Sequence, residues 1–301
     1  MLTSLINSLL RRGFLFSTVT GYSQNRTIND KLVLLRHDVE DNYPHALRFA
    51  QIQHSLGIRG TYYFRLFPLD ENEKIIKQIV ALGHEIGYHY DDLTECKGDY
   101  DKAISRFEKN LDYLRQFGPV NSITMEGAPR SKFDNRLLWL GRLESMSCEK
   151  TRHETITTQN SQLVAHYSQL IAKNPNLPKF DYRDFGITTE PYFDLDFNQI
   201  FYLTDTGRRW DGWRVSVRDK VPQQEDWIRQ GLVFKSTHDI IKAAEEGRLP
   251  DKIMMTFHPQ RWNDKFLPWL RELAMQGIKN EVKRFLVKRG GRSKKQVVRR
   301  S

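Results

Sequence analysis

A chain of 301 residues can bury a full core, roughly 75% of its unfolded surface, as two ordinary domains or one large α/β barrel. Its 39% hydrophobic and 28% charged residues are those of a globular protein. The formal charge of +10 does not make the body a nucleic-acid platform: nine Lys or Arg lie within residues 283–301, which hold no acid, leaving about +1 elsewhere. Specific nucleic-acid binding is therefore not expected.

The N-terminus, MLTSLINSLLRRGFLF, repeats apolar residues at Leu2, Leu5, Ile6, Leu9 and Leu10, the spacing of an amphipathic helix. Arg11 and Arg12 follow the apolar part, the wrong order for a secretory signal, so the expectation is a packed first helix in a cytoplasmic protein. The two cysteines, Cys96 and Cys148, form no disulfide framework and fit a reducing compartment. No segment is long and apolar enough to be expected to span a membrane.

KLVLLRHD opens with a continuous apolar run, Leu32 to Leu35, short enough for a buried parallel strand. A helix over 44–56 ends at Gly57, and IRGTYYFRL reads as a second, aromatic-rich strand. Ile75, Ile76, Ile79 and Val80 share one helical face, with Gly83 suited to a C-terminal cap. Glu85–Tyr88 is then a short strand with His89 leaving its end. Ile104, Phe107, Leu111 and Leu114 mark the next helix, and NSITME the next strand. Helices near 135–144 and 159–172 lead through an extended region, 174–191, to the strand QIFYLT. STHDIIKAAEEG has a cap and helical spacing, DKIMMTFHPQRW carries the last strand, and a long helix runs from about Asp264. Alternating strand and helix implies a mostly parallel sheet with helices outside it. The expected organisation is one domain over 1–289 followed by a basic, disordered tail, 290–301, able to touch anionic surfaces weakly.

Polar residues fall at the expected C-terminal strand ends, which share one face in a parallel barrel. His37, Asp38 and Glu40 follow the first strand; His89, Asp91 and Asp92 the third; Glu126, Asp205 and His258 the later ones. His, Asp and Glu are ligands that a divalent metal accepts, zinc first and manganese, iron or cobalt after it. No nucleophilic Ser or Cys motif and no Gly-rich phosphate loop competes. Metal-assisted hydrolysis is the reaction class these residue types support.

LVLLRHDVED, GIRGTYYFR, GHEIGYHYDDL, MEGAPRSKFDN and TFHPQRW, in this order over about residues 30–270, resemble the polysaccharide deacetylase-like family related to carbohydrate esterase family 4. The resemblance implies an irregular seven-stranded (β/α) barrel, a divalent metal at its mouth, and removal of N- or O-acetyl groups from a sugar or glycoconjugate, as in surface-polysaccharide synthesis. It implies Asp38 as a ligand, with His37 or Glu40 as the base, and His89 as a second ligand. The family's second histidine is replaced here by Leu93, and Asp92, three residues after His89, is a candidate substitute. Glu126 is a ligand or proton carrier, and His258 matches the general acid. Arg130, Asp205, Arg208 and Trp262 are candidates for substrate contact, against plain turn or packing roles. Trp210 and Trp213 have the same two readings, and His84, at the start of its strand, is expected to be structural. Two other readings remain open: a barrel that binds a glycan without turnover, and an amidohydrolase acting on another C–N bond.

Overall fold

The structure is a computed structural model that describes residues 1–25, 31–66, 70–152, 172, 175–206, 209–211, 216, 218 and 220–262. The expected helices over 159–172 and from Asp264, the basic tail, Cys148, Arg208 and Trp213 lie wholly or in their side chains outside the described residues. Among the described residues seven strands form one all-parallel sheet: β1 (Leu15–Ser17), β2 (Leu32–Val39), β3 (Thr61–Phe64), β4 (Glu85–Tyr90), β5 (Ile123–Met125), β6 (Phe201–Thr204) and β7 (Lys252–Phe257). The order is β5-β4-β3-β2-β7-β6, with β1 on the first half of β2. β1 lies outside every expected strand. It is too short, at three residues, to show a period.

The connections explain the parallel order. Helices α3 (Tyr43–Ser55), α4 (Asp70–Ala81) and α6 (Tyr100–Arg115) return the chain between β2, β3, β4 and β5. α6 starts at Asp99, whose side chain accepts from Lys102 N, and buries Ala103, Phe107, Leu111 and Leu114 at helical spacing. The helix Thr237–Glu245 carries a full capping box, Ser236 with Asp239. Against it packs α1 (Leu2–Arg11), burying Leu2, Leu5, Ile6 and Leu9. Leu10, expected on that face, is 38% exposed, because the apolar stripe is narrower than five residues.

Two features make the barrel irregular. At the N-terminal ends of the strands, α2 (Val19–Gln24) closes the bottom: Val19 N donates to Thr61, and Thr20 N and Oγ1 donate to Glu85. At the sides, β5 and β6 end the strand order, and residues 189–193 lie between them. Ile123 N donates to Thr189 O, Met125 N to Glu190 Oε1, and the Tyr192 and Tyr202 hydroxyls are 3.4 Å apart. Glu190, buried and capping the turn Pro191–Asp194, thereby satisfies an edge amide that a further strand would otherwise have taken.

Two strands run further than the apolar runs that mark them. β2 continues through Arg36, His37 and Asp38 to Val39, all buried, and β4 continues through His89 to Tyr90. This places the polar motifs inside strands, where neighbouring side chains face opposite sides. The site follows from that alternation.

Candidate functional site

β2 sends Arg36, Asp38 and, just beyond its end, Glu40 to one side of the sheet, and all three line one pocket. Asp38 takes both Arg36 Nε and Nη2 at 2.8 Å, a bidentate pair with almost no solvent. Burial pushes the Asp38 carboxyl up, but Arg36, with His89 next, outweighs it and holds the group below the usual range.

β4 supplies His89 to the same pocket. Its Nδ1 lies 3.1 Å from Thr124 O on β5 and can only donate there, which leaves Nε2 facing Glu126 Oε2 at 3.0 Å. Burial opposes charge on this ring, but Asp38 and Glu126 outweigh it and push its pKa up to about 9. Glu126 follows β5. Burial raises its carboxyl, yet the hydrogen bond and charge of His89 carry it well below the ordinary carboxylate range.

The loop after Glu126 is held from a distance. Ala128 sits at φ 36°, a left-handed conformation costly for a residue with a Cβ, and its N–H donates to Glu126 Oε1 at 3.0 Å. Arg218 donates to the carbonyls of Gly127, Ala128 and Ser131 at 2.5–2.7 Å and so keeps this turn in place.

His258 follows β7. Its backbone N–H donates to Asp205, and its ring Nδ1 meets the same carboxylate. Trp262 Nε1 also donates to Asp205 at 2.6 Å, while the indole packs edge-on against Phe49. Asp205 thus fixes the His258 ring and leaves Nε2 toward the pocket, 3.4 Å from Glu40 Oε1.

The structure brings Asp38, Glu40, His89, Glu126 and His258 to one pocket, with Asp205 and Trp262 behind His258. Other expected residues are elsewhere. His37 faces the helices: its ring lies between Phe49, Tyr62 and Phe257, and Gln53 Nε2 donates to its Nε2. Burial, then His84, pushes its pKa down to about 3. Its place as a base is corrected by strand alternation, since it neighbours Asp38 and therefore points away. Asp92 is also turned from His89. It accepts from Tyr88, Arg106 and Asn110 at the first residue of α5 (Asp92–Glu95), so the three-residue offset fails because His89 lies in a strand rather than on that helix. Arg130 is exposed and does not line the pocket. Trp210 is buried and donates to Thr237. His84 accepts from Gly60 N and donates to Ala50 O.

Glu40, His89 and Glu126 each offer a ligand atom, and these atoms lie within 4.8 Å of one another. They suit a divalent cation: two carboxylates and an imidazole converge there, and Thr124 holds Nδ1 of His89 so that Nε2 faces the cluster. Arg36, Tyr192, Arg218 and Arg261 also line the pocket and were not legible beforehand. Arg36 reads as a strand residue, and Arg218 lies some 90 positions from the turn it holds.

Solved chains of similar fold include a CE4 family pseudoenzyme from Bacillus anthracis, with 13% identity and a TM-score of 0.40, over 85% of this chain and 62% of that one. Others are a family 4 carbohydrate esterase from Streptomyces lividans in complex with acetate (14%, 0.35, over 82% and 88%) and a Streptococcus mutans CE4 esterase (15%, 0.38, over 87% and 85%). The likeness is one of fold. No protein-family model matches the chain, and no curated protein matches it. This chain spans less than two thirds of the Bacillus anthracis protein's length. Among the described residues no helix is long and apolar enough to cross a membrane.

Proposed function

We propose that the chain is a metal-dependent hydrolase that removes an N- or O-linked acetyl group from a sugar or glycoconjugate. The observation that carries this reading is one pocket holding a three-ligand cluster, a fixed carboxylate and a carboxylate-oriented imidazole. Glu40, His89 and Glu126 would hold the cation, which when bound polarises a carbonyl and lowers the pKa of water. Asp38, oriented by Arg36, takes the proton from the attacking water. His258, fixed by Asp205, gives a proton to the departing amine or alcohol. Relative to the expectation from sequence, Asp38 and Glu40 exchange roles. Glu40 joins the ligand cluster, while both Asp38 oxygens are engaged by Arg36.

That engagement also favours a second reading, a barrel that binds a glycan without turnover, because a carboxylate so strongly paired is a weak base. Acetate release from a panel of acetylated sugars by the zinc-loaded protein separates the two. Under the hydrolase reading, Asp38→Asn and His258→Ala each lower turnover by on the order of 10²–10⁴-fold with metal content unchanged. A fully metallated wild type that releases no acetate leaves the glycan-binding reading standing.

A further inference from the structure

Among the described residues three arginines line the pocket, and they are not alike. Arg218 is committed to three carbonyls. Arg36 is committed to Asp38 through two of its nitrogens. Among the described residues Arg261 has only ion-pair neighbours, Glu40 Oε1 at 3.5 Å and Asp205 Oδ1 at 3.9 Å, both too long for hydrogen bonds. Its Nη1 is buried and without a hydrogen-bond partner, and its side chain is 13% exposed.

Such a group is costly, since a buried cation is tolerated where paired and hydrogen-bonded. Neither neighbouring carboxylate gives it a hydrogen bond. Asp205 already takes the backbone and ring of His258 and the Trp262 indole. Glu40 belongs to the ligand cluster. Among the described residues the pocket lining carries three arginines against three acids, Asp38, Glu40 and Glu126. A divalent cation held by Glu40 and Glu126 would use both of those negative charges. Arg261 would then keep only Asp205, at 3.9 Å, as a neighbouring charge, with its Nη1 still without a hydrogen-bond partner in the pocket wall. An arginine that served only to anchor the turn Pro259–Arg261 would be expected to bond carbonyls, as Arg218 does, and Arg261 has none.

We propose that Arg261 is a specificity-determining residue that pairs with an oxyanion on the acetylated sugar, so that the substrate class is an anionic sugar carrying a carboxylate or a phosphate. The guanidinium fork suits either group through two parallel hydrogen bonds. This rests on the hydrolase reading for the acetyl group, but the charge preference is a property of binding.

The test is calorimetric binding to the zinc-loaded full chain of three probes: N-acetylglucosamine, N-acetylglucosamine 1-phosphate and N-acetylglucosaminuronic acid. At least one charged probe binds tenfold or more tighter than the neutral sugar, and which one does so identifies the group. Arg261→Gln reduces the preference below about threefold, and Arg261→Lys, which keeps charge without the fork, retains part of it. Thermal melts confirm that each variant is folded. If Arg261→Gln does not fold, a full preference retained in Arg261→Lys counts against the fork and overturns the proposal. Equal affinity for the three probes, absence of binding included, overturns it. So does a preference that survives in Arg261→Gln, because the anion would then be held by the cation itself. Acetate measured in the same samples reports the hydrolase reading separately: charge preference without acetate refutes turnover and leaves the anion site in place.

Discussion

Asp38 and Asp92 are both buried acids beside an arginine, yet their charges are held in opposite ways. Asp38 has Arg36 to itself through two hydrogen bonds and stays ionised. Asp92 shares Arg106 with Asp91, so the guanidinium offsets only part of its burial, and burial pushes the carboxyl up to about 7. The consequence for stability has a definite sign. The unfolded chain releases this proton near pH 4, whereas the folded protein keeps it until about pH 7. Asp92 therefore costs stability as pH rises through that window and holds a constant cost above it. Asp92→Asn keeps an acceptor for Tyr88 and Arg106 but cannot ionise. Relative to wild type its melting temperature should gain steadily between about pH 4 and 7 and then level off. Thermal melts across that range check this, and a difference that stays flat or runs the other way would show that Asp92 is charged throughout.

Among the elements, β3 and β4 show how closely the strands under the pocket are fitted. Gly87 on β4 pairs with Tyr63 on β3, and a Cβ built there would lie 2.4 Å from the Tyr63 ring and 2.8 Å from the Ser122 carbonyl oxygen. The ring could turn, but the carbonyl belongs to the neighbouring backbone. Gly87→Ala should destabilise the protein by about 1–3 kcal/mol, the usual cost of overpacking, with a denaturant midpoint as the measurement. Unchanged stability would mean that β4 and β5 can separate at no cost. The same two elements show what the sequence makes legible. Apolar runs and helix spacing locate six of the seven strands, because burial on both faces leaves a continuous apolar signature. The run stops being apolar where a strand enters the site. His37 and Asp38 therefore read as following the strand, although they are part of it, and His37 joins the candidates although it faces the helices. His89, Glu126 and His258 were legible because each stands at a strand end on the inward register. Arg261 and Arg218 were not, since their partners are fixed by tertiary contact and leave no local pattern.

For the whole molecule, the pocket is assembled at the ends of β2, β4, β5 and β7, while the core that holds those strands together extends well beyond it. That core runs from α1 through the helix Thr237–Glu245, the buried faces of α3, α4 and α6, and the aromatic cluster around Phe107 and Trp139. Glu40, His89 and Glu126 are not part of that core. A small zinc domain unfolds without its ion because the ion replaces a core, and here a core is present. The expectation is one divalent cation per chain, lost when Glu40, His89 and Glu126 are replaced together by Gln, Ala and Gln. Removing the ion with a chelator should leave the far-ultraviolet circular dichroism of the fold intact. It should still lower the melting temperature, because binding to the folded state alone stabilises by about 2.7 kcal/mol at a hundredfold excess over Kd, roughly 4 °C for a chain of this length. Metal analysis and melts before and after chelation decide the matter together. Stoichiometric metal in the triple variant would move the site away from this pocket. Collapse of the circular dichroism on chelation would mean that the four strands are held by the ion rather than by the core described here.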